Sequence, residues 1–325
     1  MSAADSVFVE AGARLHFGVL DLRGSLGRRF GGLGAAIPSP SLLLEVGRQD
    51  RISAEGPDAK RAAGFARRFL ESHGLAEGAR LVVHRQIPAH SGLGSGTQLG
   101  LSVARGLAEL HGLPTGPADL ARAVARAQRS AIGTWAFALG GFIIEGGRRP
   151  GEDGVAPLIG RYEIPAGWRC VVAVPPGSPG LSGDAEAAAF ERLPPPAEPD
   201  VQRVSHLVLM QLLPALVEAD LASFGEALSA VQRITGTWFA SQQGGVFAPG
   251  DGEALIGRMA GWGAAGVGQS SWGPAVYGLV EGAEAGRLLA RRCQEFLGAN
   301  GRVFEGGFAR SGAKVRRGGP PGGND

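Results

Sequence analysis

Apolar and polar positions change period several times along the chain. Val7–Val9, Leu42–Val46 and Leu81–His84 are short, mostly apolar runs that predict strands. Ala59–His73 reads as a helix with Phe65, Phe69 and Leu70 on one side. Ser95–Leu110 predicts a second helix: Leu99, Val103, Leu107 and Leu110 recur at spacings of four, four and three, the signature of one buried face. Ala118–Gln128 predicts a third, and Gly141–Glu145 and Trp168–Val174 return to strand composition. PPPAEP at 194–199 is the sharpest break, and the chain from Val201 to Met259 is helix-rich. Val267, Val276–Val280 and Val303–Phe308 predict strands around a last helix, Ala283–Leu297. The Pro/Gly-rich, basic stretch 311–325 predicts a disordered tail.

Strands and helices do not alternate regularly. That predicts an α+β fold of two lobes, 1–165 and 166–310, followed by the tail 311–325, rather than a doubly wound sheet. A length of 325 residues accommodates two such lobes.

Composition narrows the classes of function. With 44% hydrophobic and 19% charged residues the chain reads as a soluble globular protein, and its net charge of +2 gives no reason to expect a nucleic-acid partner. Cys170 and Cys293 cannot make a disulfide framework, which fits a reducing compartment. The first residues show no basic-then-apolar secretory pattern, and the longest apolar stretch, Ala131–Ile144, is short and broken by glycines. These features predict a cytoplasmic protein with no membrane partner. Lysine occurs only at Lys60 and Lys314, so an anion site here must use arginine, backbone N–H groups and hydroxyls.

One stretch points to such a site. Gly92-Leu93-Gly94-Ser95-Gly96 runs directly into the second predicted helix. Glycines allow the backbone to approach an anion, and a helix N-terminus offers free N–H groups and the positive end of its dipole. Ser95, Thr97 and Gln98 add side-chain donors, or Ser95 a metal ligand. The lysine of a P-loop is missing, and the spacing is not that of a dinucleotide-binding loop.

The flanks are more specific. Pro88, Gly92, Leu93, Gly94 and Ser95 together resemble the phosphate-binding motif of the GHMP kinase superfamily. Ser130-Ala131-Ile132-Gly133 with Gly140-Gly141 resembles its second motif, and Gly266–Gly273 (GVGQSSWG) its C-terminal glycine-rich motif. The resemblance implies a two-lobed α+β fold, with an N-terminal lobe like that of a small-subunit ribosomal protein and a ferredoxin-like C-terminal lobe. Two departures stand out. Gly133 lies where many of these kinases carry an aspartate, and Ser95-Gly96-Thr97-Gln98 replaces their usual Ser-Ser-Ala-Ala.

The departures, with segments 13–34, 92–99, 129–147, 180–190, 242–247 and 266–279, are similar to the β-ribofuranosylaminobenzene 5′-phosphate synthase family over roughly residues 10–310. That resemblance implies decarboxylating phosphoribosyl transfer from 5-phosphoribosyl 1-diphosphate to 4-aminobenzoate or 4-hydroxybenzoate. CO₂ and diphosphate leave, and the product enters tetrahydromethanopterin-type cofactor biosynthesis. It also implies Mg²⁺, small-molecule substrates and a homodimer. An ATP-dependent small-molecule kinase is the alternative, and a non-catalytic sensor of a phosphorylated ligand the third reading.

The implied chemistry assigns expected roles. The glycine loop takes the diphosphate. Arg14, Arg28 and Arg129 are candidates for the ribose 5′-phosphate, because arginine grips phosphate through two donors. Asp21 is a candidate to stabilise the ribosyl cation, and Glu145 to do so or to bind the metal with Ser95. His16 is a candidate acceptor for the ring substituent's proton. Trp135 and Trp272 are expected to form a slot for the aromatic ring, and Gln269, Ser270 and Ser271 to bind a phosphate or the carboxylate. His90 and the loop containing Ser182 complete the candidates, as a diphosphate contact and a lid.

Overall fold

The computed structural model describes residues 6–152, 154–177, 180–181 and 183–319. The chain opens with two long antiparallel strands, β1 (Ser6–Asp21) and β2 (Phe30–Gln49). Both are far longer than their apolar runs predict. Strand β1 alternates: Leu15, Phe17 and Val19 enter the core while Arg14, His16 and Gly18 take the other face. A register shift between His16 and Gly18 marks a bulge there.

A short strand β3 (Ser53–Glu55), helix α1 (Ala59–Ser72) and strand β4 (Gly78–Arg85) follow. Then come α2 (Ser95–His111), α3 (Pro117–Ala123) and α4 (Ile132–Leu139), with β5 (Phe142–Glu145) and β6 (Leu158–Tyr162). The predicted third helix stops at Ala123, because Ala125 and Ala127 adopt left-handed backbone conformations, φ 53° and 62°. In the first sheet the order is β3–β4–β2–β1, with β5 and β6 joined to the start of β2. Helix α2 packs across β1 and β2 through Leu99, Val103 and Leu107, the predicted stripe.

The second sheet begins with β7 (Trp168–Val174). Helices α5 (Gly183–Arg192), α6 (Glu198–Leu207), α7 (Leu213–Glu218), α8 (Leu221–Gln243) and α9 (Asp251–Gly261) intervene, with a π-helical turn at 208–212 between α6 and α7. Strands β8 (Gly266–Gln269) and β9 (Val276–Glu281), helix α10 (Ala283–Leu297) and strand β10 (Arg302–Gly306) complete it. Its order, β10–β7–β9–β8, all antiparallel, is the ferredoxin-like arrangement.

The stretch expected to be a disordered tail behaves differently. Its residues Lys314–Arg317 form β11, antiparallel to β1 at the edge of the first sheet. Val315 opposes Val9, so one apolar residue among basic ones suffices where a waiting strand edge supplies the hydrogen bonds. Residues 320–325 lie outside the described residues.

One hydrophobic core runs through both sheets. Phe17 of β1 stacks near Phe142 of β5 and Tyr277 of β9, while Phe224 of α8 contacts both Phe142 and Trp168. This aromatic chain fixes the cleft between the lobes, where the glycine loop meets the 269–273 turn.

Candidate active site

The cleft encloses about 200 Å³ beneath an open mouth. Three structural parts surround it: the cavity-facing side of β1, the loop 123–131 with the start of α2, and a wall from α5, α8 and the 269–273 turn.

Glycine is required at position 92, where the backbone of the 269–273 turn comes close, whereas beside Gly96 the neighbour is the flexible end of Arg61. A Cβ on Gly92 would stand 2.1 Å from the Ser270 carbonyl, and one on Gly96 2.2 Å from Arg61 Nη2 and 3.3 Å from Arg126 Nη2. Helix α2 carries no side-chain N-cap; the Thr97 amide donates to the Gly94 carbonyl at 3.0 Å, and the Ser95 and Gly96 amides have no partner among the described residues. Arg14 Nη1 donates to the Gly92 carbonyl and its stem passes Gly94. Burial lowers the Arg14 pKa to about 10, partly offset by Glu186, which leaves it charged at neutral pH.

On the other side of Gly96 sit Arg61 and Arg126, which the sequence reading missed. Their Nη2 atoms are no more than about 5.5 Å apart, the sum of the two distances above. Two charges at that range repel by roughly 3 kcal/mol at an effective dielectric near 20, less where water screens them. Arg61 is paired with Asp58, but Arg126 has no carboxylate within salt-bridge distance among the described residues, and its buried Nε has no hydrogen-bond partner. Burial first, then Arg61 and Arg68, lower its pKa to about 10. Arg129 lines the cleft as expected, but pairs with Glu186 at 2.8 Å and lies over the Phe190 ring.

His16 is buried at the cleft floor. Its Nε2 lies 3.2 Å from Ser130 Oγ, and burial, followed by Arg14, lowers its pKa to about 3, so the ring is neutral. Glu145 lies beneath the floor, fully buried. Its oxygens accept from the Gly147 and Ala131 amides at 2.7 and 3.3 Å, and burial raises its pKa to about 7 despite those bonds and one from Ser130.

The far wall is aromatic. Trp272 meets Phe190 and Phe239 edge to face, with centroids 5.4 and 4.9 Å apart, and Phe30 meets Phe190 likewise at 5.7 Å. Trp272, Phe190 and Phe239 line the cleft.

Several other candidates do not line it. Trp135 packs on the first lobe and donates its indole N–H to the Ala156 carbonyl at 2.9 Å, away from the cleft lining. Gln98 is buried with its amide donating to the Gly133 carbonyl at 3.0 Å. Asp21 caps its own turn, accepting from the Arg23 and Gly24 amides at 2.6 and 2.8 Å, and Arg28 donates to the Gly147 carbonyl at 3.1 Å on the same hairpin. Neither lines the cleft.

Ser270 is a clasp: its hydroxyl donates to the Gly92 carbonyl at 2.8 Å and accepts from the His16 amide at 3.0 Å. Gln269 faces the cleft, yet its side chain bonds Gln243, the Ser271 carbonyl and the Ala248 amide. Ser271, in a left-handed conformation, and Thr97 line the cleft. His90 is exposed and holds the Gly180 amide through its carbonyl, and Ser182 lies outside the described residues.

The expected metal pair, Ser95 and Glu145, does not form a metal site. The Glu145 oxygens are spent on backbone amides, and Ser95 does not line the cleft. No group of three or more His, Cys, Asp or Glu suited to a metal occurs among the described residues, and the acid lining the cleft, Glu186, is paired with Arg129. The donor set suits an anion, not a protein-held Mg²⁺.

The departure at Gly133 has a packing partner. A Cβ there would stand 2.9 Å from Thr97 Cγ2. The extra methyl of Thr97, where the kinases have alanine, fills the space that a residue-133 side chain would need.

Fold and cleft define a GHMP-type scaffold. Residues 59–141 match the family model described as the GHMP kinases N terminal domain. The structure superimposes on a homoserine kinase from Cytophaga hutchinsonii with TM-score 0.70 at 18% identity, covering 97% of this chain and 99% of that one. Within that scaffold the chain is 32% identical, over 95% of its length and 99% of the relative's, to a β-ribofuranosylphenol 5′-phosphate synthase from Methanothermobacter thermautotrophicus. It is 31% identical to one from Archaeoglobus fulgidus, over 89% of this chain and 92% of the relative. The chain belongs to the β-ribofuranosylphenol 5′-phosphate synthase family, enzymes of the pentosyltransferase type. No described helix is long and apolar enough to cross a membrane.

Proposed function

We propose that this enzyme transfers the phosphoribosyl group of 5-phosphoribosyl 1-diphosphate to 4-hydroxybenzoate, releasing CO₂ and diphosphate, in the making of a tetrahydromethanopterin-type cofactor. The observation that carries this reading is the cleft's division: Arg14, Arg126 and Thr97 at the start of α2 on one side, an edge-to-face aromatic wall on the other. A phosphorylated sugar diphosphate and a benzoate ring need those two surfaces side by side. The phenol in the names of the relatives favours the hydroxy acid over 4-aminobenzoate.

The chemistry follows from the residues. Arg14 and the first-turn amides of α2 take the diphosphate as the C1–O bond breaks and its electron pair leaves with the diphosphate. The ring carbon bearing the carboxylate, held against Trp272, supplies the pair for the new C–C bond. The 4-hydroxyl proton passes to an acceptor, and the neutral His16 offers Nδ1, since Nε2 is engaged with Ser130. Diphosphate beside Arg14 offsets the charge that helps depress His16. The bond to CO₂ then breaks, its electrons restore the aromatic ring, and the proton returns to oxygen. Mg²⁺ is assigned to the substrate, as the complex of the diphosphate; no group of three or more His, Cys, Asp or Glu suited to a metal occurs among the described residues.

The test is to supply phosphoribosyl diphosphate and Mg²⁺ with each acid in turn and to measure product. The reading predicts turnover with 4-hydroxybenzoate. Turnover of 4-aminobenzoate alone would reassign the acceptor, and ATP-dependent phosphorylation of an alcohol without phosphoribosyl transfer would replace the reaction.

A further inference from the structure

Arg14 and Arg126 both line the cleft, with Arg61 beside Arg126 at Gly96 and outside the lining, and the diphosphate accounts for only Arg14. Arg14 adjoins Gly92, which touches the Ser270 carbonyl, and so stands on the side of the Trp272 turn. Arg126 packs toward α1, its guanidinium 4.9 Å from the Phe65 ring centroid, with Arg61 next to it at Gly96. Two observations say that this second cluster awaits an anion. Arg126 Nε is buried without a partner, although guanidinium donors in a protein interior are ordinarily satisfied. The segment presenting it is also held in an unfavourable conformation: the alanines on both sides, Ala125 and Ala127, have positive φ with no glycine to ease it.

Resting on the reaction proposed above, we infer that Arg126 and Arg61 form the subsite for the ribose 5′-phosphate. The reacting C1 must face the aromatic wall, so its diphosphate belongs on the Arg14 side. The other phosphate of the same substrate, at C5, must then reach away from that wall, toward α1. Two guanidinium groups meeting at a point where the chain lacks a Cβ can each offer donors to one phosphate. This placement differs from the one expected for Arg28, which donates to the Gly147 carbonyl, and Arg129, which is paired with Glu186.

The experiment crosses a change in the enzyme with a change in the substrate. In R126M the KM for phosphoribosyl diphosphate should rise roughly 10- to 100-fold, the range for losing a bond to a charged group. The KM for 4-hydroxybenzoate should stay within about twofold, and R126K should recover part of the loss. With ribosyl 1-diphosphate, which lacks the 5′-phosphate, wild type and R126M should perform alike. If the missing phosphate and the missing arginine instead cost independent, additive factors, the 5′-phosphate binds elsewhere and the inference is overturned. If wild type shows no phosphoribosyl transfer at all, the proposed reaction fails first. Calorimetry with inorganic phosphate then still reads the subsite: binding by wild type and not by R126M upholds an anion site, and equal binding by both, or none by either, removes it.

Discussion

The two walls of the cleft contain polar residues in similar number but use them differently. On the 269–273 side, Gln269 and Ser270 carry the functional look of a binding loop, yet their hydrogen bonds are committed to Gln243, Ser271, Ala248, Gly92 and His16. On the glycine-loop side, Arg126 Nε and the Ser95 and Gly96 amides have no partner among the described residues. A ligand is bound by donors the fold has left over. The first wall therefore shapes the site and offers its aromatic faces, and the second carries the affinity for anions.

Gly96→Asp should break that contrast most severely. Its carboxylate would enter between Arg61 and Arg126 and satisfy them internally. Activity at limiting phosphoribosyl diphosphate should fall about 10²- to 10⁴-fold, the equivalent of losing two bonds to a charged group. Thermal stability should hold or rise, since an acid in the first helical turn is favourable. An equally active variant would show that the phosphates lie elsewhere.

Ser270→Ala tests the committed wall. It leaves the His16 amide without this partner, while the Gly92 carbonyl keeps Arg14, and should cost about 1–3 kcal/mol in urea unfolding. A stable variant that merely binds benzoate poorly would mean that Ser270 is a ligand-binding donor after all.

Glu145 extends the test beneath the floor. Burial raises its pKa from 4.5 to about 7, so its contribution to stability is present below pH 4.5 and is lost as pH rises through 7. That loss is about 3 kcal/mol by linkage. His16, lowered to about 3, contributes in the opposite direction below its ordinary value of 6.5, and does so in both proteins. The difference between wild type and Glu145→Gln should therefore change between pH 5 and 8, in favour of the variant at high pH. A pH-independent difference in unfolding free energy would contradict the buried-acid account.

The smallest effect concerns the departure from the kinases. Gly133→Asp should cost about 1–3 kcal/mol through its clash with Thr97 Cγ2, and adding Thr97→Ala should restore most of it. Neither variant should phosphorylate an alcohol from ATP. Independent stability changes at the two positions would show that they do not pack as a pair.

Much of this was legible in the sequence, for local reasons. The helical stripe Leu99–Leu110 and the last helix Ala283–Leu297 follow from period alone. The length of β1 was also written there, in Leu15, Phe17 and Val19 alternating with Arg14, His16 and Gly18, but the glycines and charges hid the period. That alternation puts Arg14 and His16 on the cleft face. Trp272 was recognisable from its polar, glycine-rich turn.

What the sequence could not show is which polar groups find partners. Ser270, Gln269 and Gln98 look like ligand donors until the fold brings Gly92, Gln243 and Gly133 to them. Arg61 and Arg126, 65 positions apart, become a pair only when α1 and the 124–130 loop converge on Gly96. Lys314–Arg317 is a strand only because β1 leaves an edge for it.

The central claim is that the uncommitted anion wall and the aromatic wall serve one decarboxylating transfer. The most direct measurement uses 4-hydroxybenzoate labelled in its carboxyl group, with phosphoribosyl diphosphate and Mg²⁺. The account predicts labelled CO₂ and diphosphate in equal amounts, with none of either when phosphoribosyl diphosphate is replaced by ATP. Diphosphate release with the label retained in an aromatic product, or CO₂ release dependent on ATP, would contradict it.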